Sequence, residues 1–283
     1  MVEEGAQRPS RDPDRAGLPA AAPVLSAKSG RVRAARRLAR RAFRAELGLF
    51  LAEGPQAVRE ALAVPGCVEE LFALPGRHDE LRRLADGVPW QLADEQAISA
   101  LSDTVHPQGV VAVCRTLDVP LADVLAAAPR LLAVCADVRD PGNAGTVIRC
   151  ADAAGAGGVV LAGESVDPYN GKAVRATVGS LFHLPLAVDK DVAETVRRLQ
   201  AEGLTVLAAD GAGETDLDDA ADAGLLAART AWLFGNEAHG LPDEVAALAD
   251  HRVRIPIHGR AESLNLATAA AVCLYASARA QRR

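Results

Sequence analysis

The sequence predicts an α/β protein in two domains, the second built on a parallel sheet that helices cover on both faces. The chain has 283 residues, enough for two domains of ordinary size, and 49% of them are hydrophobic. In its second half, short apolar segments without polar alternation are separated by helical patterns. Strands of this composition are buried on both faces, which is typical of parallel sheets.

The N-terminal part is predicted to contain a leader, a small α/β domain and a linker. Residues 1–27 lack periodicity and are rich in Pro, Ala, Arg and Asp, which predicts a disordered leader. Residues 28–118 are assigned to the small domain, and residues 119–129 to a linker with one or two helical turns. The small domain is expected to contain helix 30–46, strand 50–52, helix 55–62, strand 68–74, helix 78–85, strand 88–92, helix 95–101 and strand 109–115.

The second domain is predicted over residues 130–283. Its expected elements are strand 131–136, helix 144–154, strand 159–162, helix 174–178, extended segment 184–188, helix 192–201, strand 204–209, strand 231–234, strand 253–257 and helix 264–280. Ligands of open parallel sheets bind beyond the carboxyl ends of the strands. The loops that follow three of these strands are therefore the places where chemistry is expected.

Basic residues are concentrated near the N-terminus, although the whole chain has a net charge of −6. Residues 1–50 carry 11 basic and 5 acidic residues, and no acid interrupts the run from Lys28 to Arg44. Such a run suits a polyanion such as RNA, and a solvated helix face or a loose tail would have the same composition. The candidate RNA-binding residues in it are Arg31, Arg33, Arg36, Arg37, Arg40 and Arg41.

Several classes of protein are excluded. No uncharged apolar run approaches the ~18–20 residues of a membrane span, and Glu3 and Glu4 stand where a secretory signal would be apolar, which predicts a cytoplasmic protein without membrane contact. The five cysteines include no CxxC pair, which indicates reduced thiols. The six histidines are dispersed, so no metal site is expected. Dinucleotide, P-loop, hydrolase and zinc-enzyme motifs are absent from the sequence.

The loop after the strand at 131–136 carries the first group of candidate residues. Asn143 is expected to cap the following helix, and Arg149, six positions further on, can face the same pocket. Because its helix is otherwise apolar, Arg149 is expected either to bind a phosphate or substrate, or to form a buried ion pair with Asp152 or another acid.

Two further loops carry polar residues beside glycines. After strand 231–234, Gly235 allows a ligand to approach the backbone, and Glu237 can accept a hydrogen bond from a hydroxyl or amine. His239 in the same loop suits either an acid/base role or a solvated turn. After strand 253–257, Ser263 is expected to cap the long apolar helix, and the amide of Asn265 is expected to have a specific partner.

Together the three loops resemble the motifs of the SpoU (TrmH) family of RNA ribose 2′-O-methyltransferases, in the SPOUT superfamily. The matching segments are DPGNAGTVIRCADAAG (140–155), LFGNEAHGLP (233–242) and RIPIHGRAESLNLATAAAVCLY (254–275). The resemblance implies a parallel α/β domain with a C-terminal trefoil knot, S-adenosylmethionine (AdoMet) as cofactor, and a homodimer whose partner subunit helps complete the active site. The segment FLAEGPQAVREAL (50–62) is similar to an L30e-like substrate-binding domain.

The resemblance also implies roles for individual residues. The catalytic positions are Asn143, Arg149, Glu237, Ser263 and Asn265. The cofactor-binding positions are Ala209, Phe234, Gly235, Asn236, Ile255, Pro256, Leu264 and Asn265. In the polar stretch YNGKAVRATVGS (169–180), Lys172 and Arg175 are candidates for RNA contact or for a solvated helix face. Arg149 has been proposed as the base in the family, but a guanidinium suits phosphate binding and alkoxide stabilisation better.

The leading hypothesis is AdoMet-dependent 2′-O-methylation of RNA. An accessory RNA-binding domain favours rRNA, most of all 23S rRNA, including the case of an antibiotic-resistance methyltransferase. The alternatives are a tRNA 2′-O-methyltransferase, a non-catalytic RNA-binding or ribosome-assembly factor, and a small-molecule enzyme on the same scaffold. The basic N-terminal run argues against the last of these, and salt-dependent RNA binding would discriminate it.

Overall fold

Two β-sheets organise the chain, a four-stranded mixed sheet followed by a seven-stranded parallel sheet. The computed structural model describes residues 23–282. We call residues 23–115 the N-terminal unit and residues 121–282 the C-terminal unit. Within residues 23–282, no helix is both long enough and apolar enough to cross a membrane.

The N-terminal unit contains the first sheet with helices on both sides. Its elements are α1 (Gly30–Arg36), α2 (Arg41–Leu47), β1 (Leu49–Glu53), α3 (Pro55–Ala63), β2 (Val68–Ala73), α4 (Asp79–Leu84), β3 (Trp90–Leu92), α5 (Glu95–Leu101) and β4 (Val110–Arg115). The strand order is β1-β4-β2-β3. Strand β4 is antiparallel to both of its neighbours, and β2 is parallel to β3.

The C-terminal unit contains the parallel sheet, whose strand order is β7-β6-β5-β10-β8-β11-β9. Its elements are α6 (Leu121–Ala126), β5 (Leu131–Ala136), α7 (Pro141–Ala154), β6 (Val159–Ala162), α8 (Gly171–Thr177), β7 (Leu186–Asp189), α9 (Val192–Ala201), β8 (Thr205–Ala209), β9 (Thr215–Asp216), α10 (Leu217–Asp222), β10 (Thr230–Phe234), α11 (Asp243–Ala246), β11 (His251–Arg254) and α12 (Leu266–Gln281). Every pairing in this sheet is parallel.

Alternate residues of the central strands enter two different cores. On one face, Trp232 and Phe234 of β10 pack with residues of α7 and α12. On the other face, Ala231 and Leu233 pack with residues of α6 and α9. All residues of β5 and β10 are buried, so the predicted parallel sheet covered on both faces is confirmed.

The two units are joined by aromatic packing and by ion pairs. The ring of Phe50 in β1 lies 4.7 Å from that of Tyr169 and 6.2 Å from that of Phe182, between ring centroids. Arg44 forms an ion pair of 2.6 Å with Asp167; the side chain of Arg44 is buried, and that of Asp167 is 13% exposed. The N-terminal unit is therefore packed directly against the loops and helices that follow β6.

Several predicted boundaries differ from those observed. The helix expected over 30–46 is two helices, because a 3-10 turn at 37–39 and an extended Arg40 separate α1 from α2. Helix α7 begins at Pro141, where Asp140 and not Asn143 is the N-cap. Strand β11 covers 251–254 instead of 253–257, and α10 and α11 were not predicted. Of the expected leader, residues 1–22 lie outside the described residues, whereas Leu25 pairs with Ala93 beside the first sheet.

Candidate active site

A cleft of about 340 Å³ lies at the carboxyl ends of β8, β10 and β11. Its inner walls are apolar, and its rim carries carboxylates, an amide and a hydroxyl. The lining residues are Ala209, Asp210, Gly211, Phe234, Gly235, Asn236, Glu237, Ala238, Gly240, Val253, Ile255, Ile257, Glu262, Ser263, Leu264, Leu266 and Ala269. This volume lies within the range of small-molecule sites.

The loop after β10 is a tight turn that borders the cleft. The backbone N–H groups of Asn236 and Gly240 each donate to the carbonyl oxygen of the other, at 3.0 and 2.8 Å. A Cβ atom on Gly235 would lie only 2.4 Å from the carbonyl carbon of Gly240, so a side chain cannot be accommodated there. The side-chain amide of Asn236 donates to the carbonyl oxygen of Asp137 at 2.9 Å, which ties this loop to the one after β5.

Glu237 connects the loop after β10 to the start of α7. One of its oxygens accepts from the backbone N–H of Asp140 at 3.0 Å and from the side-chain amide of Asn143 at 3.2 Å. The other accepts from the backbone N–H of Arg139 at 3.2 Å. The carboxylate thus receives three donors, two from the backbone just before α7 and one from a side chain in its first turn, and within residues 23–282 it forms no ion pair.

Asn265 completes the connection between the three loops. Its Nδ2 donates to Oδ1 of Asn143 at 3.1 Å, and its Oδ1 accepts from the backbone N–H groups of Ala267 and Thr268. Asn265 is therefore the N-cap of α12, in place of Ser263, which was expected to have that role. Ser263 instead lies exposed on the rim of the cleft.

Arg149 lies apart from the other candidate site residues, and within residues 23–282 it lacks the expected buried ion pair with Asp152. Its side chain is exposed and does not line the cleft, although Asn143 on the same helix belongs to the hydrogen-bonded network. The buried ion pair with Asp152 is absent, because Asp152 contacts His183 at 2.8 Å. Within residues 23–282, Arg149 forms no ion pair, so its charge faces solvent beside α12, which packs on α7.

Most of the predicted cofactor-binding residues line the cleft. These are Ala209, Phe234, Gly235, Asn236, Ile255 and Leu264, whereas Pro256 and Asn265 are not part of the lining. Sequence reasoning missed Asp210, which borders the cleft and forms an ion pair of 2.8 Å with Arg252. Its position directly after the strand at 204–209 was the signal that could have identified it.

The predicted RNA-binding residues are distributed over several places. Arg33, Arg36, Arg37 and Arg40 line a second cleft in the N-terminal unit, and Arg41 lines a third near Asp167. Arg31 forms an ion pair with Glu70 at 3.3 Å.

In the stretch 169–180, the basic residues have acidic partners. Lys172 contacts Asp140 at 2.7 Å, which lowers the pKa of that carboxyl, and Arg175 contacts Glu53 and Asp103 of the N-terminal unit. Tyr169 is buried, so it belongs to the packing between the units and not to a solvated loop.

These features define an α/β protein with an open parallel sheet and a ligand-sized cleft at the carboxyl ends of its strands. Residues 130–275 match the model of the SpoU rRNA methylase family, and residues 30–112 match that of an MRM3-like substrate binding domain. The chain belongs to the SpoU rRNA methylase family, which confirms the resemblance carried by the three loops.

Relatives share both units of the chain. The 23S rRNA (guanosine(2553)-2′-O)-methyltransferase RlmP of Bacillus subtilis is 36% identical over 258 residues, covering 89% of this chain and 97% of that protein. The AdoMet-bound rRNA methyltransferase from Sinorhizobium meliloti superposes with a TM-score of 0.77 at 34% identity, covering 90% of this chain and 98% of that one. The SpoU methyltransferase AviRb from Streptomyces viridochromogenes, in complex with AdoMet, gives 0.77 at 30% identity, with the same coverage.

Proposed function

We propose that this protein transfers the methyl group of AdoMet to a ribose 2′-hydroxyl of 23S rRNA in the bacterial cytoplasm. The observation that carries the proposal is the hydrogen-bonded connection of three separate loops, two of which line the cleft, through Glu237, Asn143 and Asn265. RlmP, which the chain resembles along nearly its whole length, is named for this reaction on 23S rRNA.

The residues of the cleft suit AdoMet. Phe234, Ile255 and Leu264 offer apolar surface to an adenine ring, whereas Asp210 and Glu237 offer carboxylates to ribose hydroxyls and to a positive charge. When bound, AdoMet supplies an electrophilic methyl group on a positively charged sulfur. The residues of the chain then have to hold the ribose oxygen in line with that methyl group, which is chiefly a matter of orientation.

We assign the polar network to this orientation. Glu237 fixes Asn143, and Asn265 fixes the other end of the same amide, so that the start of α7 is held against the cleft. Ser263 on the rim is free to contact the ribose. Arg149 holds the phosphate of the target nucleotide and stabilises the developing alkoxide, because a guanidinium group keeps its proton and is therefore a poor base. The hydroxyl proton leaves to water.

The strand order supports the trefoil knot that the family implies. Strand β11 lies between β8 and β9, although β9, α10 and β10 come between β8 and β11 in the chain. A chain that threads through a loop formed by β8 to β10 before α12 packs on α7 would have this strand order. We assign the knot to the segment from β8 to α12, and the backbone of its two cleft loops to the cofactor.

A homodimer accounts for the position of Arg149. This side chain is exposed on α7 and outside the cleft of its own chain. On the neighbouring α12, Val272 and Tyr275 are exposed apolar residues, and the Tyr275 hydroxyl donates to the carbonyl oxygen of Ala153, one turn from Arg149. We propose that a second copy covers this face and that Arg149 of one subunit acts at the cleft of the other.

The N-terminal unit is proposed to bind the RNA, as an L30e-like domain over residues 28–118. Its match to an MRM3-like substrate binding domain supports this, as do the exposed arginines between Arg33 and Arg41. The linker 119–129 and the catalytic domain 130–283 follow it. Because phosphate contacts dominate nucleic-acid affinity, binding is expected to weaken steeply with salt.

The test is methyl transfer from labelled AdoMet into separate pools of unmodified 16S rRNA, 23S rRNA, assembled 50S subunits and tRNA. Digestion to nucleosides then identifies the labelled product. Label on a 2′-O-methyl nucleoside from 23S rRNA or the 50S subunit is the expected result. Label only in tRNA would replace the proposed substrate. Absence of label in all pools, with AdoMet binding demonstrated by calorimetry, would indicate an RNA-binding protein without transfer activity.

A further inference from the structure

The arginines between Arg31 and Arg44 divide into two groups. Arg31 and Arg44 have acidic partners, Glu70 and Asp167. The other group is exposed and, within residues 23–282, forms no ion pair and no side-chain hydrogen bond; its cleft-lining members are Arg33, Arg36, Arg37 and Arg40. Of the first group, Arg44 is buried and Arg31 is exposed, whereas the second group has no side-chain polar partner in the described part of the chain.

The unpaired arginines surround a concave surface. The cleft has a volume of about 700 Å³ and lies between the segment 33–43 and the end of α5, where Ser99 and Ser102 complete its wall. Its lining contains no carboxylate among the described residues. Four guanidinium groups around one cleft repel each other unless an anion enters, so the surface is suited to an anion with more than one charge.

An aromatic ring lies under one of these guanidinium groups. The guanidinium carbon of Arg37 lies 3.9 Å from the centroid of the half-buried Phe43 ring. Arginine planes and aromatic rings are the surfaces on which unpaired RNA bases stack. A regular duplex keeps the faces of its bases stacked inside, so it offers no base face to this pair.

We infer that this cleft binds an unpaired segment of the RNA substrate, with a base stacked on the Arg37–Phe43 pair and successive phosphates on Arg33, Arg36 and Arg40. The inference rests on the proposed function in that RNA is the substrate. The unpaired segment is then a feature by which the enzyme recognises its RNA, apart from the nucleotide that it methylates.

The experiment measures binding of the full-length protein to two fluorescein-labelled probes, a ten-nucleotide single-stranded RNA and a ten-base-pair RNA duplex, by anisotropy over a salt series. The triple variant Arg33→Ala/Arg36→Ala/Arg40→Ala removes the phosphate contacts. The variants Phe43→Leu and Arg37→Ala remove the stacking surface from either side. The matched control is Arg77→Ala/Arg82→Ala/Arg83→Ala, which removes three exposed charges elsewhere in the same unit.

The triple variant is expected to weaken single-strand binding at least tenfold and to reduce the slope of log K against log salt by about 2, since each phosphate contact contributes about 0.7. The control is expected to stay within about twofold of the wild type. Phe43→Leu and Arg37→Ala are each expected to weaken single-strand binding about tenfold. For Phe43→Leu, which leaves every charge in place, duplex binding is expected to change by less than about twofold.

Equal losses in the triple variant and the control would overturn the inference, because binding would then follow total charge. Equal losses for both probes with Phe43→Leu, or unchanged single-strand binding with both stacking variants, would also overturn it. Binding is measured without AdoMet, so the result is independent of transfer. If the wild-type protein methylates no RNA but these variants lose single-strand binding, the proposed function would be disproved and the cleft assignment would remain.

Discussion

The carboxylate of Glu237 lies 3.2 Å from the side-chain amide nitrogen of Asn143, so residues 94 positions apart join two loops at one cleft. The same carboxylate accepts from the backbone N–H groups of Arg139 and Asp140. Asn143 does not line the cleft itself, so it can influence a ligand in the cleft only through its hydrogen-bonded partners such as Glu237. The network orients the start of α7 before any ligand arrives.

Glu237→Gln is expected to lower kcat for methyl transfer by about ten- to a hundredfold, the range for one charge-assisted hydrogen bond. An amide can accept from one side only, so its NH₂ group would oppose either the Arg139 N–H or the donors of Asp140 and Asn143. AdoMet affinity, measured by calorimetry, is expected to change less than kcat. The matched control is Glu244→Gln on α11, an exposed carboxylate outside the cleft. A similar loss in both variants would contradict the role given to Glu237.

Asn265 allows its two functions to be separated. Asn265→Ala removes the cap of α12 and is expected to lower the free energy of unfolding by about 1 kcal/mol. Asn265→Asp retains an oxygen that accepts from the N–H groups of Ala267 and Thr268, but it cannot donate to Asn143. The Asp variant is therefore expected to unfold like the wild type and to transfer methyl groups at least about tenfold more slowly. Thermal unfolding and initial rates test this; a destabilised Asp variant would show that the cap oxygen is not what matters.

These helix starts show what the sequence could and could not predict. Strands 131–136 and 159–162 and helix 192–201 were predicted at their observed ends, because long apolar patterns determine them. At the starts of α7 and α12, several residues of the N-cap type lie close together. Only contacts from distant loops decide that Asp140 and Asn265 are the caps, while Asn143 and Ser263 remain available for other contacts.

Arg44→Ala is expected to lower the free energy of unfolding by about 3 kcal/mol or more, because it leaves the buried carboxylate of Asp167 without its ion pair. It also removes the donor to the carbonyl oxygens of Leu38 and Ala39. The exposed neighbour Arg41→Ala is the control, with an expected change within about 0.5 kcal/mol. Urea unfolding measures both. A loss no larger for Arg44→Ala than for the control would contradict the structural role of this arginine.

Arginine burial was the least predictable feature of the chain. Arg149 has apolar neighbours in sequence, yet at 100° per residue it projects from the outer side of α7, opposite the buried Val147 and Ile148. Arg44 belongs to a run of basic residues in which no local feature distinguishes it from the other arginines. Its partner Asp167 is 123 positions away. Local composition contains no information about such a pair, so the sequence alone could not distinguish a buried, paired arginine from an exposed one.

His183 makes the contact between the units dependent on pH. Hydrogen bonds to Asp152 and Glu60 raise the pKa of His183 above its ordinary value. The stabilisation is therefore fully present below the unfolded-state pKa of ~6.5 and is lost as pH rises through the higher folded-state pKa. Because 43% of the side chain is exposed, its size is at most about 1 kcal/mol.

His183→Gln is expected to destabilise the protein more at pH 6 than at pH 9, in urea unfolding at both values. His106→Gln, at an exposed position, serves as the control. Equal destabilisation by His183→Gln at the two pH values would show that the ring contributes packing and no charge.

Arg149 tests whether the two subunits share an active site. Arg149→Ala and Glu237→Gln are each expected to be strongly impaired in methyl transfer. After subunit exchange in an equal mixture, about half of the dimers contain one subunit of each kind. If Arg149 acts at the cleft of the partner, each of those dimers has one intact site, and the mixture regains about a quarter of the wild-type rate.

The control mixture combines Asn265→Ala with Glu237→Gln, whose defects lie in the network of a single chain, so each mixed dimer keeps two damaged sites. Recovery in the first mixture but not in the second is expected; recovery in neither would show that Arg149 acts within its own chain.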